Sequence, residues 1–141
     1  MQRIEALVQR VRAQGGKVTA QRMLIWRALE GDQTHPTAED LYARLKPVLP
    51  GLSLATLYNA LNELVEWGEV RRFDAGDGHI HYDPDCSAHA ELVCLKCHTI
   101  IDAPQEVAPQ PAIPDEIAGY RILARSEQYF GICPACRAAR A

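Results

Sequence analysis

Residues 53–83 read SLATLYNALNELVEWGEVRRFDAGDGHIHYD, and this stretch decides the fold. Ser53 can cap a helix in which Leu54, Leu57, Leu61, Leu64 and Val65 recur at helical spacing, leaving Thr56, Tyr58, Asn59 and Asn62 on the opposite side. After Trp67 the pattern changes, and EVRRFD and HIHYD become two β-prone runs around a Gly-rich turn. Together with the short helices that precede it, a helix followed by such a hairpin makes the pattern of a winged helix-turn-helix.

Moving toward the N-terminus, the same periodicity predicts three further helices. Residues 3–14 place Ile4, Leu7, Val8 and Val11 on one face before Gly15-Gly16 stops the run. Thr19 can cap a second helix, whose apolar stripe is Met23, Leu24, Ile25 and Leu29, ending before Gly31. Thr37 with Asp40 approximates a capping box for a third, which Pro47 ends. Toward the C-terminus, ELVCLKCHTIID is β-prone and broken by a Cys pair, and YRILARSEQYFGIC offers one or two more strands. Between them Pro104, Pro109, Pro111 and Pro114 exclude a long regular helix and leave a loop with at most a short helix at 114–118. No internal repeat is visible, and the expected class is α+β.

A chain of 141 residues, 48% of them hydrophobic, suits one ordinary domain or two small ones, and a small domain needs a metal staple or a partner chain. No apolar stretch approaches the roughly 20 residues of a membrane span, and MQRIEALVQRVRAQ lacks a signal-peptide core. The expectation is a cytoplasmic protein, in whose reducing compartment the five cysteines favour metal over disulfides. The net charge of −3 conceals opposite halves: residues 1–73 carry ten Lys+Arg against eight Asp+Glu, the remainder five against ten. Arg3, Arg10, Arg12, Lys17, Arg22 and Arg27 face only Glu5 across the first 27 residues, which suits either a phosphate backbone or an ordinary solvated helix face.

Cys94-x-x-Cys97 and Cys133-x-x-Cys136 have the spacing that lets two short turns bring four sulfurs to about 2.3 Å from one zinc ion. Four thiolates leave no open coordination position, so such a site staples the fold and does no hydrolytic chemistry. A second set, His35, Asp83, His89, Glu91 and Asp102, offers two imidazoles and three carboxylates, suited to ferrous iron, manganese or, less selectively, zinc. His89 and Glu91 lie two apart on a predicted strand and leave one face, with Asp102 alongside on the next. By spacing alone each of the five is more readily a solvated or hydrogen-bonding side chain than a ligand, and His35 a capping group beside Pro36. No separate nucleophile or general-base motif accompanies them, so no catalytic residue is expected. A metal-dependent hydrolase built on His35, His89 and the acids, or a zinc-ribbon module that binds protein, remain readings from other classes.

In order and spacing, KVTAQR, HPTAEDLYARL, LSLATLYNALNELVEWGEV, HYD, HAELVCLKCHTIID and FGICPAC resemble the motifs of the ferric-uptake-regulator family, over about residues 4–137. The resemblance implies a metal-dependent repressor that works as a homodimer on double-stranded DNA. Residues 1–83 would form the winged-helix DNA-binding domain and residues 84–141 a small α/β dimerisation domain with the four-cysteine structural zinc. It also implies a regulatory metal, manganese or ferrous iron, at a hinge formed by His35, Asp83, His89, Glu91 and Asp102. An ion shared by both halves couples metal affinity to DNA affinity.

The HPTAED run, Asn59 after Tyr58 and the position of Asp102 resemble the peroxide-responsive members, in which His35 and His89 would be oxidised by peroxide at bound iron. Glu91 departs from the usual His, makes the site richer in oxygen and brings a manganese-responsive repressor into competition. Ala88 and Ala90 stand where a further family site has ligands, so two metals per subunit are expected. A zinc-uptake regulator is the alternative, with Cys86, His79, His81 and His89 as its sensor.

For DNA, Tyr58 and Asn59 are the expected base contacts, and Ser53 and Thr56 bond phosphates. Lys17 reaches a minor groove, while Arg22 and Arg71 or Arg72 meet the backbone. A dimer then demands a palindromic operator, expected to be A·T-rich.

Overall fold

In the computed structural model of the chain, residues 2–107 and 113–139 are described. Four helices come first: α1 (Gln2–Ala13), α2 (Ala20–Leu29), α3 (Ala38–Leu45) and α4 (Leu54–Glu66). Three start where an oxygen side chain was expected to cap them. Thr19 accepts from the Arg22 N–H, Thr37 forms a full capping box with Asp40, and Ser53 accepts from the Thr56 N–H. Gly15 ends α1 at φ +80°, a conformation that residues with a Cβ seldom adopt.

The helices share one core of Leu7, Val11, Ile25, Trp26, Leu29, Leu41, Leu45, Leu52, Leu57, Leu61 and Leu64, with Val70 and Tyr82 joining from the hairpin. Trp26 belongs to this core although the sequence pattern passed over it, while Met23 and Leu24 of the expected α2 stripe are only half-buried. The helix turned its broad indole inward because Ile25, Trp26 and Leu29 together make a continuous face toward α3 and α4.

The hairpin pairs β1 (Arg71–Asp74) with β2 (Ile80–Asp83) antiparallel, setting Arg71 opposite Asp83. Alternation along β1 sends Arg71 and Phe73 inward and leaves Arg72 and Asp74 exposed. A three-stranded sheet follows in the order β4-β3-β7. In it β3 (Glu91–Cys94) runs antiparallel to β4 (Ile100–Asp102) and parallel to β7 (Gln128–Gly131), and α5 (Pro134–Ala138) closes the chain.

The loop region departs from expectation. No helix occupies 114–118; β5 (Glu116–Ile117) and β6 (Tyr120–Arg121) form a two-residue hairpin whose turn places Ala118 and Gly119 at φ +49° and +84°. Gln105–Val107 make a single 3₁₀ turn after Pro104, and Pro109 and Pro111 lie outside the described residues. Among the described residues no helix is long and apolar enough to cross a membrane.

Apolar burial is uneven. Beyond the helical core, among the described residues, Phe73, Ala75 and Val93, with Ile100 against them, form a small second cluster, and two of its members come from the hairpin. Leu95, Ile101, Tyr129 and Phe130 are 58%, 53%, 45% and 51% exposed. The three-stranded sheet therefore has little core of its own and depends on other stabilisation.

Candidate metal centres and nucleic-acid interface

The strands carry the cysteines to one place. Cys94 ends β3, and because β3 pairs in parallel with β7 through Cys94↔Gly131, the chain leaving β7 delivers Cys133 to the same end. Cys133 then caps α5 and Cys136 lies one turn on. Sulfur atoms of all four lie within 4.8 Å of one another, with Cys97 Sγ 3.7 Å from Cys133 Sγ. Backbone N–H groups of Cys97 and Cys133 point at Cys94 Sγ at 3.5 and 3.4 Å, and with the Lys96 N–H they bring that thiol down to about 5. Cys136 goes the other way, up to about 12, chiefly because its hydrogen is shared with Cys133. Four sulfurs this close cannot all be thiolates without a cation among them, which is the electrostatic signature of a zinc staple.

The second group forms between the helical part and the sheet. His35 precedes α3 at φ +53°, Asp83 ends β2, and Glu91 on β3 pairs with Asp102 on β4. His89 lies just ahead of β3 and not on it, so it reaches the cluster from a loop and not by strand alternation. Donor atoms of the five lie within 4.8 Å of one another. His35 Nε2 is 2.9 Å from Asp102 Oδ1 and 3.5 Å from Asp83 Oδ2, and His89 Nε2 is 2.9 Å from Asp83 Oδ2. His35, Asp83 and Glu91 are buried, whereas His89 and Asp102 form the more open side.

Burial opposes charge here, and the neighbours overrule it. Burial would raise Asp83, but hydrogen bonds from His35 and the Asp85 N–H, with the charges of His35 and Arg71, bring it to about 2. Burial would lower His35, yet Asp83 and Asp102 together raise it above its ordinary value. Neither oxygen of the fully buried Glu91 makes an ordinary hydrogen bond, and Oε1 lies against the Arg71 guanidinium and 3.4 Å from His89 Nε2. A buried carboxylate in that condition beside two imidazoles and two more carboxylates fits an oxygen-preferring divalent cation.

Arg71 corrects the sequence reading. Only 2% exposed, it is no phosphate contact; it ion-pairs with Asp83 and Glu91 inside the cluster, while Arg72 stays on the surface. Alternation around Phe73 was the signal that could have found it. His81, a member of the alternative zinc-sensor set, is engaged elsewhere. Its Nδ1 donates to the His35 carbonyl oxygen at 2.7 Å and its Nε2 faces Asp77 Oδ2 at 2.7 Å, which steadies the left-handed backbone of His35. His79 is exposed in the wing turn, and Cys86 is half-buried with its thiol pushed up by burial. The structure gathers neither of these two, nor His81, with any metal group among the described residues.

The remaining side of α4 is open. Leu57, Ala60, Leu61 and Leu64 face the core, leaving Ser53, Thr56 and Asn59 exposed and Tyr58 half-buried. The Tyr58 hydroxyl donates to Glu39 at 2.8 Å, and the Ser53 and Thr56 oxygens share a hydrogen bond of 2.8 Å. Lys17 is exposed ahead of α2, whereas Arg22 is tied to Glu63 at 2.8 Å and to the Lys17 carbonyl at 3.3 Å. Arg22 thus fixes α2 against α4.

Comparison with known proteins agrees with this architecture. The model of the ferric uptake regulator family matches residues 13–119. A peroxide-responsive repressor, PerR, of Staphylococcus epidermidis is 29% identical over 136 residues, covering 95% of this chain and 90% of that protein. The ferric uptake regulator Fur of Helicobacter pylori superimposes with a TM-score of 0.76 at 17% identity, over 99% of this chain and 95% of the other. A zinc-bound manganese uptake regulator does so with a TM-score of 0.61 at 26% identity, over 87% and 95%.

Proposed function

The chain belongs to the ferric uptake regulator family, and from that premise we infer that it is a metal-responsive transcriptional repressor whose sensor is the cluster of His35, Asp83, His89, Glu91 and Asp102. One observation carries this reading: donors from before α3, from the end of the wing and from the sheet converge within 4.8 Å around a fully buried carboxylate that has no ordinary hydrogen bond. A divalent cation bound there supplies positive charge that five separately anchored donors can share. His35 anchors the reading unit and Glu91 and Asp102 the sheet, so their convergence holds the two in one relative orientation. We divide the chain accordingly into residues 1–83, the DNA-binding domain, and 84–141, the dimerisation domain.

The four cysteines hold a structural zinc, and the exposed apolar residues of the sheet meet a second copy. In the homodimer, each α4 enters a major groove with Tyr58 and Asn59 toward base edges. Ser53 and Thr56 then lie near phosphates and Lys17 near the adjacent minor groove, which calls for a palindromic, A·T-rich operator. Manganese or ferrous iron suits three carboxylates better than zinc does. The kinship with peroxide-responsive repressors adds a second reading for the iron form, in which peroxide releases the DNA.

The test uses duplexes selected from a random pool with manganese present. Fluorescence anisotropy of those duplexes, with chain that retains its thiolate-bound zinc, should show tight binding only when manganese or ferrous iron is added. Equal affinity with and without the second ion would refute the sensor. Loss of binding after peroxide in the iron form alone, with about 16 Da gained on the His35 or His89 peptide, would support the second reading.

A further inference from the structure

The sensor cluster already contains a cation. Arg71 Nη2 lies 3.1 Å from Asp83 Oδ2, 3.1 Å from His89 Nε2 and against Glu91 Oε1, while Nη1 reaches Ser126 Oγ at 3.3 Å. Its guanidinium carbon stands 4.9 Å over the Phe73 ring. The side chain leaves β1 of the wing and ends on residues of the sheet, so it spans the same junction as the proposed metal.

Hydrogen placement makes the two cations rivals. His89 Nδ1 lies 2.9 Å from the Ser87 carbonyl oxygen, which can only accept, so Nδ1 donates there and Nε2 is the ring nitrogen left for the cluster. At 3.1 Å the guanidinium occupies the side of Nε2 that a metal ion would take. Asp83 Oδ2 faces the same Nε2 at 2.9 Å, so guanidinium, carboxylate and imidazole meet at one point. Nε2 is also the atom that His89 turns toward the other donors, and a guanidinium and a metal cannot share that side of it.

We propose that Arg71 is a tethered competitor for the regulatory ion: its guanidinium clasps wing and sheet in the metal-free protein and must withdraw from His89 Nε2 when a divalent cation binds. Arg71 thereby sets the metal concentration at which the site fills. The inference rests on the cluster being the sensor, and it adds a residue that opposes loading to the residues that accept it. Two buried carboxylates and the more open Asp102 around one site would otherwise repel one another, so the guanidinium also keeps the donors gathered before the ion arrives.

The experiment uses full-length chain with its thiolate zinc in place and the sensor site stripped. Arginine side-chain ¹⁵N spectra, with the Arg71 signal identified by its loss in Arg71→Lys, are recorded as a second equivalent of diamagnetic zinc is added. The Arg71 Nη signal should shift or exchange out as the ion binds, and Arg71→Gln should bind manganese about tenfold more tightly or better, the effect of releasing one charge-assisted hydrogen bond. An ion that saturates the wild-type site without moving the Arg71 signal overturns the proposal, as does a folded Arg71→Gln that binds manganese no more tightly. Should Arg71→Gln fail to fold, the wild-type signal decides alone. Wild-type chain that takes up no second ion sinks the sensor reading and this inference together, an outcome distinct from uptake past an unmoved arginine.

Discussion

His35 shows how much of the behaviour is set by single atoms. Its imidazole touches Asp83 and Asp102, which raise its pKa despite burial, so a proton stays on the ring above the ordinary 6.5. To ligate, Nε2 must lose that proton. Manganese binding is therefore expected to release protons and to weaken as pH falls through the raised value, which calorimetry in buffers of different ionisation enthalpy at about pH 6 and about pH 8 would measure. In the metal-free protein the signs differ between partners. The raised His35 contributes stability below 6.5 that is lost as pH rises through its folded value, while Asp83, lowered to about 2, contributes above 3.8 and loses it as pH falls toward 2. His35→Ala should abolish manganese-dependent duplex binding without changing zinc content by mass spectrometry. Metal-dependent binding that survives in this variant removes His35 from the ligand set.

At the scale of elements, the proposed function divides positioning and reading between α3 and α4. Thr37 caps α3 two residues after His35, so Thr37→Ala is expected to cost about 1 kcal/mol in urea unfolding and to weaken metal binding more than a remote cap would. A matched change at Thr19, which caps α2 away from the cluster, is the control: equal losses of metal affinity from both variants would remove the special role of Thr37. On α4, Tyr58→Ala should weaken specific duplex binding by about 1–3 kcal/mol and leave both metals in place. Its hydroxyl now donates to Glu39, so contact with a base requires that this bond open or stay on the far side of the ring. Leu61, fully buried between the helices, is a contrasting site, where Leu61→Ala should cost about 2–5 kcal/mol of stability by leaving a cavity.

Across the whole molecule, stability is divided between a well-packed helical part and a sheet that exposes Leu95, Ile101, Tyr129 and Phe130. Stripping the thiolate zinc with a chelator should unfold the sheet region first, seen as loss of amide-exchange protection in β3 and β7 while the helices stay protected. Uniform loss of protection would mean that the zinc staples the entire chain. Those exposed apolar residues predict a dimer, so light scattering should give about twice the 15.7 kDa chain mass. Tyr129→Glu with Ile101→Glu should shift that mass toward the monomer while zinc is retained.

Repeating patterns along the chain determined the four helices, their caps, the wing and the two Cys-x-x-Cys turns, because each is encoded by neighbours within a few positions. The five candidate ligands stood out by residue type, but only the family resemblance joined them into one site, since His35 and Asp102 are 67 residues apart and nothing local ties one to the other. Tertiary structure alone decided that the inward-facing Arg71 ends among the carboxylates, that His81 serves the backbone of His35, and that His89 arrives from a loop. Those outcomes depend on the packing of the wing against the sheet, where a buried charge must find partners, and a linear pattern cannot specify which long-range partners it will meet.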